Sequence, residues 1–130
     1  MPAKTLVNIL YVEDDLDIQA VAQIALEVVG ALSLITCSSG AEALAAVNNG
    51  FVPDLLLLDV MMPNMDGPTT LAELKKIGAT ALTPVIFMTA KVQSTELEFY
   101  TSLGAIGVIA KPFDPMELST QVRALWDKGS

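Results

Sequence analysis

The stretch "LLLLDVMMPNMDG", residues 55–67, decides the fold. Four consecutive leucines leave no polar face, so the run reads as a strand buried on both sides, as in a parallel sheet sandwiched by helices. A carboxylate, Asp59, stands where the run ends. It does not read as a helix cap, because Met62-Pro63 blocks a helix immediately behind it; the residue before a proline is pushed out of the helical region. Asp66-Gly67 reads as a turn that closes the loop.

The same beat of strand and helix extends in both directions. "LVNILYV" (6–12), "LSLITC" (32–37), "DLLLLD" (54–59), "PVIFMT" (84–89) and "IGVIA" (106–110) read as strands. Between the first two, Ile18, Val21, Ala22, Ala25 and Val29 recur at helical spacing. Ser39-Gly40 opens an alanine-rich helix that ends near Asn49-Gly50, and a further helix around Leu71 and Leu74 stops at Gly78. A weaker, acidic helix carries Leu97 and Tyr100. The last helix has Asp114 as N-cap, Pro115 in its first turn and Glu117 as capping-box partner, with Leu118, Val122 and Leu125 as its apolar stripe. Five strand-helix units predict an α/β fold, a doubly wound five-stranded parallel sheet with helices on both faces. One domain over residues 1–130, with a core from about 6 to 126, is expected. The chain ends soon after the last helix, so no output domain is expected.

Composition narrows the chemistry. Hydrophobic residues make up 52% of the 130, which argues against disorder. No apolar run approaches the roughly 20 residues that span a bilayer, and the start lacks the pattern of a secretory signal. Cys37 is alone, so no internal disulfide is expected, which fits a reducing cytoplasm. Fifteen acidic against seven basic residues give a net charge of −8, which repels nucleic acid and anionic membranes. Histidine is absent. Ser-His-Asp and Cys-His catalysis and histidine metal sites are thereby excluded.

In such sheets the functional crevice lies at the carboxyl ends of the strands. Glu13-Asp14-Asp15 end the first strand, Asp59 the third and Thr89-Ala90 the fourth, while the fifth runs to Lys111-Pro112. Each alone has an ordinary explanation: an N-cap for Asp14 or Asp15, strand-end packing for Thr89, a solvated loop for Lys111. Their convergence at one end does not. Two carboxylates about 4 Å apart repel by roughly 4 kcal/mol at an effective dielectric near 20, so the cluster calls for a cation. Hard oxygen donors without histidine or cysteine suit Mg²⁺, which welcomes phosphate oxygens. A lysine opposite would complete a clamp for a phosphoryl group, and Asp59 could then be the nucleophile.

"ILYVEDD", "LLLLDVMMPNMDG", "VIFMTA" and "GAIGVIAKPF" resemble, in order and spacing, the motifs of response-regulator receiver domains, and the resemblance covers essentially the whole chain. It implies the flavodoxin-like strand order 2-1-3-4-5 of a chemotaxis receiver. It further implies that Asp59 accepts a phosphoryl group from the phosphohistidine of a histidine kinase or histidine phosphotransfer protein. Asp14 would bind Mg²⁺ directly, Glu13 would assist, and Met61 would offer its backbone carbonyl. Thr89 and Lys111 would hold the phosphoryl oxygens, and the Lys111-Pro112 bond would be cis. Asp15 lies past the metal pair and is given the start of the helix.

Two departures stand out. Where many receivers carry a switch tyrosine or phenylalanine, three residues before the lysine, this chain has Val108, so a smaller or differently routed response, by backbone shifts or by Phe99 and Tyr100, is expected. Met61 and Lys91 occupy the positions that help set phosphoryl lifetime, and neither orients an attacking water well, so slow self-dephosphorylation is expected. The fifth strand would be an edge, forming with the fourth and last helices, and Trp126, a candidate face for a homodimer or a downstream target; packing of Trp126 into its own core is the alternative. The rival readings are a phosphohydrolase, which wants an acid where Met61 stands, a dinucleotide-binding domain, which lacks its G-x-G-x-x-G, and a receiver-shaped scaffold that is never phosphorylated.

Overall fold

The structure is a computed structural model and describes residues 4–129. Its strands are β1 (Asn8–Val12), β2 (Ser33–Cys37), β3 (Leu55–Asp59), β4 (Val85–Thr89) and β5 (Ala105–Ala110). Its helices are α1 (Leu16–Gln23), α2 (Gly40–Asn48), α3 (Gly67–Leu74), α4 (Ser94–Ser102) and α5 (Leu118–Gly129). A π-helical segment, Ile24–Val29, continues α1, and a 3₁₀ turn, Gly78–Thr80, follows α3. The strands pair in parallel in the order β2-β1-β3-β4-β5, so β3 lies at the centre.

That position explains the leucine run. Leu55 to Leu58 are all fully buried, and successive side chains leave opposite faces of the strand. Leu55 and Leu57 join Ile9, Tyr11, Ile86, Met88 and Ile109 beneath α1 and α5. Leu56 and Leu58 join Leu10, Val12, Val85 and Phe87 beneath α2, α3 and α4. Each buried leucine contributes about 2 kcal/mol relative to exposure. The loop behind β3 is equally constrained. Asn64 adopts a positive φ of 69°, which asparagine tolerates better than most residues. At Gly67 a Cβ would meet the Asp59 carbonyl oxygen at 2.5 Å, so only glycine lets α3 start this close to the end of β3.

Several local expectations shift. The apolar residues of the first helix divide differently: Ala22, Ala25 and Leu26 are buried, whereas Val21 and Val29 are exposed. For Val29 the cause is the π segment, whose Gly30 amide donates to the Ala25 carbonyl five residues back and so breaks the 3.6-residue period. Asp66-Gly67 is more than a turn, because Asp66 caps α3 and its Oδ1 accepts from the Thr69 amide at 2.8 Å. α3 itself ends at Leu74 rather than Gly78. Asp114 Oδ1 accepts from the Met116 amide, capping a turn at 115–117, and the regular helix begins only at Leu118. Trp126 is buried in the α1/α5 core with its Nε1 donating to the Lys4 carbonyl, so it drops out of the candidate docking face.

Candidate functional site

The carboxyl ends of β1, β3, β4 and β5 meet at one pole of the sheet, and the register does the positioning. Val12 pairs with Leu58, Asp59 with Met88, and Thr89 with Ala110. The residues just beyond, Glu13 and Lys111, therefore flank Asp59. The Lys111 ammonium bridges two acids, lying 2.7 Å from Glu13 Oε1 and 2.9 Å from Asp59 Oδ1. Glu13 and Asp59 are almost fully buried, Lys111 partly so. The Lys111–Pro112 peptide is cis, as the resemblance implied.

Glu13, Asp14 and Asp59 each offer a carboxylate oxygen, and the three oxygens lie within 4.8 Å of one another. Three oxygen acids and no nitrogen or sulfur ligand fit a hard divalent cation. Asp14 is the exposed member and leaves the cluster open to solvent. Burial pushes the Glu13 carboxyl up to about 7, with Asp59 adding to the rise; the Lys111 ammonium and the Asp15 amide act against it. Burial alone would lower Lys111, but its bonds to Glu13 and Asp59 hold it above the ordinary lysine value. A protonated lysine held between two acids supplies part of the counter-charge that this acidic cluster requires.

The remaining expected residues divide between those brought to the cluster and those left at its rim. Thr89 ends β4 nearly buried, and its Oγ1 accepts from the Lys91 amide at 3.1 Å. The Thr89 carbonyl accepts from the Lys111 amide, tying the two strand ends together. Met61 follows Asp59 in the loop with its side chain 73% exposed. Asp15 is the N-cap of α1, its Oδ1 accepting from the Asp17 and Ile18 amides, and so takes the helix-start role given to it.

Sequence reasoning missed two features, Gln19 and Tyr11. Gln19 donates from Nε2 to the Glu13 carbonyl and to Ser38 Oγ, bracing the acidic loop from one turn inside α1. Its position on the inner face of α1 was the only signal. Tyr11 lies fully buried one strand-step beneath Glu13, and its hydroxyl has no hydrogen-bond partner among the described residues. Burial, then the charges of Glu13, Asp59 and Asp15, hold that hydroxyl far above the usual phenol range. The two aromatics named from the sequence beside Val108, Phe99 and Tyr100, both stand on α4. Val108 pairs with Phe87 in the register, and the buried Tyr100 ring packs on Phe87 with centroids 5.1 Å apart. Phe99 continues the row at 5.4 Å and is half exposed.

A doubly wound five-stranded sheet with an acid cluster and a lysine at its carboxyl pole defines the receiver class of signalling domain. The comparisons agree: residues 9–123 match the response regulator receiver domain family, and the chain belongs to it. Among its relatives, the transcriptional regulatory protein CpxR of Klebsiella pneumoniae is 37% identical over 118 residues, covering 91% of this chain and 48% of that protein. The response regulator SaeR of Staphylococcus aureus is 33% identical, covering 91% and 50%. The chain thus spans about half the length of these curated relatives. Among solved structures, chemotaxis protein CheY4 of Vibrio cholerae superposes with a TM-score of 0.83 at 25% identity, covering 93% of this chain and 99% of that one. The N-terminal domain of a response regulator receiver protein from Methanoculleus marisnigri gives 0.73 at 38% identity, covering 92% and 96%. The protein is therefore a receiver domain of the two-component type. No helix among the described residues is long and apolar enough to cross a membrane.

Proposed function

We propose that Asp59 is the phosphoacceptor of a phosphorylation-dependent switch that serves a histidine kinase or a histidine phosphotransfer protein. The observation that carries this reading is the Lys111 ammonium held against both Glu13 and Asp59, with a third acid, Asp14, beside them and open to solvent. An Asp59 oxygen attacks the phosphorus of the donor's phosphohistidine; the O–P bond forms as the N–P bond breaks, and the imidazole leaves with the electron pair. Lys111 turns from Glu13 and pairs with the incoming phosphoryl oxygens, and the Thr89 hydroxyl donates to another. Glu13, Asp14, Asp59 and the Met61 carbonyl would hold Mg²⁺, which when bound neutralises the acids and binds a phosphoryl oxygen. The domain catalyses only its own phosphorylation and dephosphorylation, because Met61 stands where a hydrolase would need a general acid.

The whole of residues 1–130 acts as one receiver unit, in the cytoplasm where its kinase presents the phosphohistidine. Its downstream target is a protein that docks on the face of α4, β5 and α5, where Leu97 and Phe99 are exposed beside Glu96 and Glu98. The test is intact mass after incubation with acetyl phosphate and Mg²⁺. The expected result is a gain of one phosphoryl group that Asp59→Asn abolishes. A folded wild-type protein that stays unmodified by acetyl phosphate and by a phosphorylated kinase would leave only the inert scaffold. Multiple turnover of a small phosphoester would favour the hydrolase.

A further inference from the structure

α1 and the π segment behind it are apolar on two opposite sides. Ala22, Ala25 and Leu26 face the core, while Leu16, Ala20, Ile24 and Val28 recur at every fourth residue on the outside. Leu16 is 69% exposed, Ile24 58% and Val28 76%. An amphipathic surface helix normally carries one apolar face, turned to the core, and a continuous exposed apolar strip on the other side marks an interaction site.

Charge says what would cover it. From Ile18 to Ala41 the only charged residue is Glu27, in a chain whose net charge is −8. Two copies of so acidic a molecule repel one another over most of their surface, but not here. The two ends of the strip carry opposite signs. Asp14, Asp15 and Asp17 lie at its start, and at its finish the Arg123 guanidinium, donated from α5, binds the Gly30 carbonyl. An antiparallel pairing lays each acidic start against the other copy's arginine.

We propose that a second copy of this chain covers the Leu16–Val28 strip, helix against helix, about a two-fold axis. Such a contact is isologous, so the same apolar residues and the same opposite-sign ends serve both copies. It reaches the first turn of α1, next to Asp14, so the dimer narrows the approach to the acid cluster from that side. The proposal stands apart from phosphoryl transfer and does not require it.

Sedimentation of the unphosphorylated chain over a wide concentration range tests it. The expected result is a reversible monomer-dimer equilibrium that Ile24→Lys weakens by at least about tenfold. Ile24 is exposed, and circular dichroism will establish that the variant keeps its fold; Val28→Lys provides a second reading if it does not. Arg123→Glu should weaken the dimer, and adding Asp17→Lys in the same chain should recover most of the loss. A chain that remains monomeric at its highest soluble concentration overturns the proposal. A dimer indifferent to both Ile24→Lys and Val28→Lys does the same, as does a double charge variant no better than Arg123→Glu alone.

Discussion

Lys111 holds two carboxylates at once, and under the proposed function the residues around it would set how long a phosphoryl group on Asp59 survives. Neither the Met61 nor the Lys91 side chain is a good acceptor for the proton of an attacking water. Met61→Asn should therefore speed dephosphorylation by about tenfold or more, followed as loss of the phosphorylated mass with time; an unchanged rate removes Met61 from the account. Beneath the site, the buried Tyr11 hydroxyl bears the cost of burial without a bond to offset it. Tyr11→Phe should stabilise the fold by about 1 kcal/mol in urea titration, and a destabilised variant would mean that the hydroxyl finds a partner in solution. The acids and Lys111 were legible because each sits directly after an apolar strand, where residue type and position coincide. Gln19 and Tyr11 were not legible, since a glutamine in a helix and a tyrosine in a strand are ordinary until the strands converge.

Among the helices, α4 is lightly anchored. It buries one residue, Tyr100, and Gln93 at its N-cap makes no side-chain capping bond. Tyr100→Ala should cost about 3 kcal/mol or more and raise amide exchange in α4 above that of α3. Equal exchange in both helices would show that Leu97 and Phe99 hold α4 without it. Because Phe87 is two residues before Thr89 on the same strand face, Tyr100 is the side chain through which a shift at Thr89 would reach α4. α1 illustrates the opposite failure of sequence reading. Its apolar residues promise a single inward stripe, but the π segment re-aims them and the helix shows apolar residues on both sides. Nothing in residues 24–29 announces a π turn; it follows from how that stretch packs against α5 and β2. The caps fared unevenly for a related reason. Asp15 and Ser39 sit beside obvious helices, whereas the glycine and proline after Asp66 disguised a helix start as a turn.

At the scale of the molecule, the two poles of the sheet have different work. The carboxyl pole gathers the acids and Lys111. The other is tied by Asp54, whose Oδ2 accepts from the Val7 and Asn8 amides and whose Oδ1 pairs with Lys4. Burial alone would raise that carboxyl, but the Asn8 amide, Lys4 and the Val7 amide outweigh it and hold the group below the usual carboxylate range. Its contribution is therefore full above the ordinary carboxylate range and lost as pH falls through the depressed value. Thermal melts from pH 7 downward should show that loss in the wild type and a flatter acid limb in Asp54→Asn. Identical limbs would assign the acid sensitivity elsewhere. The alternation of strands and helices made the layered architecture legible throughout. Strand order was not, because parallel crossovers of similar length are compatible with several orders, and it came with the family likeness.

The Lys111 ammonium meets Glu13 across 98 positions of chain and Asp59 across 52. No shorter fragment can assemble this constellation, since its cation arrives on the final strand to join the sheet. A polypeptide that has emerged only as far as β4 therefore presents Asp59 without the ammonium that pairs with it in the folded domain.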